Sequence, residues 1–269
     1  MRFTMSAPEN AFVTYQKRGN VALITLNRPD ARNAINGDVA AGLEAAIDQL
    51  EAEQGVWCGV ITANTEGHKT PVFCAGADLK AINSGQAAAL NTARGGFAGF
   101  VYRERSKPVI AAVDGLATAG GCEIVLACDM VIASTRSQFG LAEVKRNLIA
   151  GAGGLFRLPR AIGRNVAMEA ILTGDPLTAQ RAYELGLVNH LVDPDALVAK
   201  AFEVAEKVAS SAPIAVAKSR KIVLASAYEN DEMLMSMTDA AFGDVLKSED
   251  TKEGLAAFIE KRAPNWQGR

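Results

Sequence analysis

Histidine is the scarcest of the residues that enzymes commonly use to move protons. The 269-residue sequence has two, His68 and His190. A Ser–His or Cys–His pair would need His68, in a polar loop, or His190, inside the apolar run LVNHLV, and an ordinary surface or strand histidine is the simpler reading of each. Cysteine is also sparse. Cys58, Cys74, Cys122 and Cys128 form no CxxC pair and no metal-ligand spacing with the histidines, so no metal is expected. In a chain of this size they read as reduced, mostly buried thiols of a cytoplasmic protein. Charge of one sign is lacking as well: 28 Lys+Arg against 30 Asp+Glu gives a net charge of −2, which disfavours a nucleic-acid partner. The opening MRFTMSAPENAF has no apolar core of the kind a signal peptide carries. The apolar stretch from Pro108 to Ala133 is interrupted by Asp114, Glu123, Asp129 and the Gly120-Gly121 pair, so it is not a spanning helix and no membrane partner is expected.

What is present is the composition of a globule, with 49% hydrophobic and 22% charged residues. At roughly 150 residues per domain the chain is one or two domains, long enough to bury a core without staples. Phe12–Gln16 and Val21–Leu26 are β-rich runs separated by Arg18-Gly19-Asn20, which predicts a hairpin. Val39, Leu43, Ile47 and Leu50 recur at helical spacing. Strands are expected at 57–63, 72–74, 108–113 and 130–133, with a helix beginning near Gly120. A helix is expected over 86–105, although Gly95 and Gly96 each weaken it by about 1 kcal/mol relative to alanine. From about residue 163 the pattern turns helical, with a strand at 187–192 and helices at 194–210, 213–226, 230–247 and 251–262. The reading is an α/β core over 1–193 followed by a helical region over 194–269, with Pro194 at the boundary.

Two turns and two glutamates carry the chemistry. In FCAGADLK a strand ends, small residues turn, and Asp78 stands where a helix begins. Small residues let a ligand approach the backbone, and a helix's first N–H groups are unpaired. Asp78 is equally a normal N-cap, and on local sequence that is the simpler reading. GLATAGGCE, residues 115–123, repeats the arrangement after the strand VIAAV. Two such turns can aim two N–H groups at one oxygen, the geometry of an oxyanion hole. Glu123, flanked by Cys122, Ile124, Val125 and Leu126, is expected to be partly desolvated, which moves a carboxyl toward acid–base duty; a helix-start acid held by the dipole is the alternative. Glu143, twenty residues on, precedes Lys145 and Arg146, and pairing with one of them or a solvated face is its simpler reading. Gly151-Ala152-Gly153-Gly154 has neither nucleotide-loop spacing and reads as a tight turn before a helix.

Together the segments LITLNRPDARNAIN, FCAGADLK, KPVIAAVDGLATAGGCEIVLACD, FGLAEVK, GAGGLFRLPRAIG and EGLAAFIEKRAPNWQGR resemble the crotonase (enoyl-CoA hydratase/isomerase) family along nearly the whole chain. The resemblance implies an α/β spiral of ββα units closed by a C-terminal helical region that serves oligomerisation and completes the CoA pocket. It implies a homotrimer or a pair of trimers, and an acyl-CoA thioester as substrate. It places the oxyanion-hole N–H groups at Ala77 and Gly120, and the two catalytic acids at Glu123 and Glu143. The implied activity is that of an enoyl-CoA hydratase, with Glu123 as base on water and Glu143 as acid toward C2, an order that can be exchanged because close carboxylates titrate as a pair. No cofactor is needed, CoA being part of the substrate. Ala75, Ala77, Asp78, Leu79 and Lys80 would run along the CoA, with Arg32 at a phosphate and Phe258 and Lys261 at the adenine of a neighbouring subunit. An enoyl-CoA isomerase, and a non-catalytic acyl-CoA or RNA-binding relative, remain as alternatives.

The chain departs from the family pattern at Ala142, where a proline usually precedes the second acid, at Ala150, and at Ala119, where a glycine often stands. The Gly95-Gly96 pair lies in the segment that lines the acyl pocket in relatives. It is expected to loosen that wall and admit long or bulky acyl chains.

Overall fold

The computed structural model describes residues 12–67 and 69–269, so the opening segment and His68 lie outside the described residues. β1 (Val13–Arg18) and β2 (Val21–Leu26) form the expected antiparallel hairpin. It turns at Gly19, whose φ of 61° is free of steric cost for glycine. In α1 (Gly37–Ala52), Asn36 caps the first turn by accepting the Val39 N–H at 3.0 Å, and the Val39, Leu43, Ile47 and Leu50 stripe is buried. β3 (Cys58–Ala63) lies parallel to β2, while β4 (Val72–Cys74) starts a second sheet and leads into α2 (Leu79–Asn83).

Residues 86–105 are not the expected helix. A 3-10 turn at Ala87–Leu90 runs into a hairpin of β5 (Asn91–Thr92) and β6 (Gly96–Phe97). Gly96, Ala98 and Gly99 have φ of 65°, 58° and 65°, which a right-handed helix does not accommodate. The glycines also allow close approach. A Cβ on Gly95 would collide with the Gly99 backbone, one on Gly96 with the Tyr102 ring, and one on Gly99 with the Ala40 carbonyl. Glycine is required at these positions by the left-handed turns and close contacts of the hairpin.

β7 (Val109–Val113) returns to the first sheet, β8 (Leu116–Thr118) to the second, and α3 (Gly120–Ala127) follows. β9 (Met130–Ser134) and β10 (Gln138–Gly140) repeat the pattern, followed by a 3-10 turn at Glu143–Arg146 and α4 (Gly154–Ile162). Each turn of the chain thus lays one strand in each sheet and then a helix: β3-β4-α2, β7-β8-α3, β9-β10 and α4. α5 (Arg164–Thr173), β11 (Leu177–Thr178), α6 (Ala179–Glu184) and β12 (His190–Val192) complete the sheets. Their orders are β1-β2-β3-β7-β9-β12 and β11-β10-β8-β4. The fold is mixed α/β with C-terminal helices, α7 (Leu197–Ala209), α8 (Pro213–Ala225), α9 (Asp231–Lys247) and α10 (Glu249–Glu260).

The large sheet is covered on both faces, which is why its inner strands are apolar throughout. Ile24, Ile61 and Ala111 pack into the cluster that holds α1. Leu23, Val60 and Ile110 pack into a second cluster with the α7 stripe Leu197, Ala201, Ala205 and Ala209. Arg220 of α8 ties onto this core, donating to Asp129 at 2.8 Å and to the Arg105 carbonyl at 2.7 Å. The final residues fold back. Buried Asp250 accepts the Gln267 and Gly268 N–H groups at 2.7 and 2.8 Å, and the Trp266 indole donates to the Ser210 carbonyl at 2.8 Å.

Candidate active site

The small sheet brings the two turns together. β4 and β8 are parallel neighbours, and each ends in a turn leading to a helix. Gly76 has φ of 86°, and a Cβ placed on it would lie 2.9 Å from the Gly120 nitrogen and 3.1 Å from the Thr118 carbonyl. A Cβ on Gly121 would collide with the Cys74 carbonyl. The two backbones therefore touch, and glycine is required where they do. Ile35 donates to the Gly76 carbonyl and accepts from the Asp78 N–H, so the intervening Ala77 N–H points to the other side. Gly120 is the first residue of α3, where no intrahelical acceptor exists. Among the described residues, no protein acceptor takes either the Ala77 or the Gly120 N–H.

Ala119, between β8 and Gly120, has φ of 50° and ψ of −128°, a conformation that favours glycine and is held here by its N–H bond to the Gly140 carbonyl at 2.9 Å. Phe97 presses on the far side of Gly120, where a Cβ would collide with its ring. The resemblance puts Phe97 in the segment that lines the acyl pocket in relatives, but the expected helix over 86–105 gave no sign that its ring lies against Gly120.

Glu123 lies in the first turn of α3 and is 3% exposed. Its Oε1 accepts the Ala152 N–H at 2.7 Å and the Gly154 N–H at 2.8 Å. Burial pushes its carboxyl pKa up, against the opposing pull of those two N–H bonds and of Arg157. The tight turn at 151–154 thus has a second role that its sequence did not show. The only hint was a set of unpaired N–H groups ahead of a helix.

Glu143 opens the 3-10 turn after β10. It is not paired with Lys145, which bonds Asp175 at 2.6 Å. Its Oε2 is buried without a hydrogen-bond partner among the described residues. Burial raises its pKa, and the charge of Glu123 raises it further, so the two carboxyls feel each other. The thiols offer no rival nucleophile: burial pushes Cys58, Cys74 and Cys128 up to about 12, and Cys122 higher still. His190 sits in β12 at the edge of the large sheet.

Of the other residues singled out, Asp78 has a structural occupation. It caps α2 by accepting the Lys80 N–H at 2.9 Å and bonds Arg28 at 2.7 Å. Although burial alone would raise its pKa, these contacts hold the carboxyl below the usual range. Ala75 is half-buried and donates to the Arg32 carbonyl at 3.1 Å, which ties Arg32 to the same turn. The Arg32, Leu79 and Lys80 side chains are exposed beside it. Phe258 and Lys261 are exposed at the end of α10, which packs on α9.

The chain lays down a spiral of two-strand, one-helix turns closed by C-terminal helices. The profile of the family described as enoyl-CoA hydratase/isomerase matches residues 16–269. The chain is 37% identical over 257 residues to the short-chain-enoyl-CoA hydratase of Clostridium acetobutylicum, covering 93% of this chain and 95% of that protein. It is 37% identical to the (E)-benzylidenesuccinyl-CoA hydratase of Thauera aromatica, covering 95% and 99%. The crystal structure of enoyl-CoA hydratase from Mycobacterium tuberculosis superimposes with a TM-score of 0.90 at 42% identity, covering 96% of this chain and all of that one. The chain belongs to the enoyl-CoA hydratase/isomerase (crotonase) family, and with it to the enzymes of the hydratase type. No helix among the described residues is long and apolar enough to cross a membrane.

Proposed function

We propose that this chain adds water across the C2–C3 double bond of a 2-enoyl-CoA thioester to give the 3-hydroxyacyl-CoA. The observation that supports it best is a pair of N–H groups, at Ala77 and Gly120, left without a protein acceptor at two turns that touch, together with two mutually interacting carboxyls of raised pKa, one of them in the first turn of the helix that Gly120 opens. The thioester oxygen accepts both N–H groups. Glu123 takes a proton from water as its oxygen bonds to C3, and the π electrons move onto the thioester oxygen as an enolate. That charge is met by the two donors and by the α3 dipole, an arrangement in which one donor is worth about 10²–10³ in rate. Glu143, whose pKa burial raises, then delivers a proton to C2 as the enolate collapses.

Arg32, Leu79 and Lys80 would meet the CoA, while Phe258 and Lys261 would reach the adenine across a trimer or a pair of trimers. Leu148, Ile149, Met168 and Leu172 are exposed just past the 3-10 turn and on α5, two elements in contact, and offer apolar side chains to such an assembly. The test follows loss of the conjugated enoyl chromophore together with the hydroxyacyl product. Glu123→Gln and Glu143→Gln should each cut turnover by about 10² or more, the scale of general acid–base catalysis, while CoA-ester binding persists. Near-full turnover in either variant would defeat the paired-acid mechanism, and double-bond migration without hydration would replace it with isomerisation.

A further inference from the structure

Glu123 is held by a loop that is itself braced from behind. The peptide joining Gly151 and Ala152 donates its N–H to Glu123 and accepts the Tyr102 hydroxyl on its carbonyl at 3.2 Å. The next carbonyl, of Ala152, accepts Arg157 Nη1 at 3.0 Å. The peptide after that donates the Gly154 N–H to Glu123, and its carbonyl, of Gly153, accepts the Arg157 backbone N–H at 3.0 Å. Arg157 Nη2 reaches across to the Val101 carbonyl at 2.6 Å. The guanidinium lies 5.5 Å from the Tyr102 ring centre and 5.2 Å from that of Phe156. Gly153, with φ of 105°, leaves room for it, since a Cβ there would sit 2.9 Å from the guanidinium carbon.

Arg157 thus makes its hydrogen bonds to carbonyls and, among the described residues, forms no ion pair, although it is half-buried. One planar, five-donor group bridges two loops, a geometry that an ammonium cannot reproduce. One loop presents the N–H groups that aim Glu123. The other carries Phe97, which presses on Gly120.

We propose that Arg157 is a positioning residue for Glu123. Its guanidinium fixes the 151–154 loop and ties it, through Val101 and Tyr102, to the segment that seats Gly120, so that base and oxyanion donor keep one spacing. This rests on the reading of Glu123 as the base. Misplacement of a reacting group by about 1 Å costs roughly 10²-fold in rate, so a loosened cradle should be read in kcat.

The test compares Arg157→Met, Arg157→Lys and Tyr102→Phe with the parent enzyme on a four-carbon 2-enoyl-CoA. Arg157→Met should lower kcat about 10–100-fold with KM within about threefold, and Arg157→Lys should recover only part of it. Added guanidinium ion should restore turnover to Arg157→Met and not to Glu123→Gln. In the Glu123→Gln background, Arg157→Met should cost clearly less than in the parent, what remains being the displacement of Gly120. The groups facing Glu123 are Arg157 from α4, Glu143 from its 3-10 turn and the neighbouring Cys122 thiol. Removing the one cation should therefore move the acid limb of the rate profile upward. A kcat within twofold of the parent, no guanidinium rescue, or equal losses in both backgrounds would overturn the proposal. If Arg157→Met does not fold, Tyr102→Phe decides: a several-fold loss of kcat at constant KM supports it, and an unchanged kcat overturns it. Full turnover in Glu123→Gln would instead defeat the role of Glu123 itself.

Discussion

Gly76→Ala tests the contact between the two turns with one methyl group. At φ of 86° an L-residue costs about 1–2 kcal/mol. The new Cβ would sit 2.9 Å from the Gly120 nitrogen, 3.0 Å from the Ala119 Cβ and 3.1 Å from the Thr118 carbonyl, all of them backbone or short side chain with little room to move. Overpacking of that kind costs about 1–3 kcal/mol. Stiffening of the unfolded chain offsets some 0.4–1 kcal/mol, which leaves a net loss of about 1–4.6 kcal/mol. For a chain of this length, at about 2 °C per kcal/mol, that is a fall in Tm of roughly 2–9 °C. A typical domain's total of about 5–15 kcal/mol keeps the variant folded at 25 °C. The same methyl pushes on the Gly120 N–H, so turnover should fall about 10²-fold or more, the worth of one oxyanion donor. Urea and thermal unfolding, run beside steady-state hydration kinetics, read both effects. Stability within about 0.5 kcal/mol of the parent, the ordinary scatter of surface changes, would show that the turns do not meet as described. Lost stability with intact turnover would remove Gly120 from the reaction.

Three further outcomes are expected. Because burial raises both carboxyls, the rate profile should be bell-shaped, with its acid limb above the ordinary glutamate range near 4.3; activity falls at low pH as Glu123 protonates and at high pH as Glu143 ionises, and a flat profile would refute this. Asp114 is held below its usual pKa, the hydrogen bonds from Arg136, Ser134 and Thr65 outweighing the upward push of burial. It therefore stabilises the fold above the unfolded pKa of about 3.9 and ceases to as pH falls through the lower folded value, so the deficit of Asp114→Asn in urea should shrink on acidification; a deficit independent of pH would contradict it. Asp250→Ala leaves the Gln267 and Gly268 N–H groups without their acceptor and should cost about 1–3 kcal/mol. Tryptic cleavage after Arg262 should quicken accordingly, and an unchanged rate would refute the clasp.

How much of this was legible depended on the range of the interactions involved. α1 and the apolar strands of the large sheet announce themselves because their burial pattern is periodic within a few residues. β8 does not, since three residues become a strand only through β4 and β10 on either side. Residues 86–105 misled because apolar spacing says nothing of φ, and the glycines there serve left-handed turns and close approach. Within the site, the segments around Glu123 and Glu143 were recognisable by their resemblance. Nothing local showed that the acceptor of the Ala152 and Gly154 N–H groups lies about thirty residues upstream, or that Lys145 turns to Asp175 while the Glu143 Oε2 stays without a hydrogen-bond partner among the described residues. Asp78 went the other way: the local reading, a helix cap, is the occupation the structure shows for its carboxylate.

The double covering of the large sheet has a consequence for how the chain assembles. Leu23, Val60 and Ile110 belong to strands made early, yet their cover is the Leu197–Ala209 helix. Well over a hundred residues separate Val60 from Ala201, so this face stays wet until nearly four-fifths of the polypeptide has been synthesised. Pairings of such high sequence separation form slowly, and an apolar parallel sheet waiting for its lid is exposed to association with other chains. Mutations in the Ala201–Ala205 stripe should accordingly lower the yield of folded protein more than they lower the stability of the molecules that do fold.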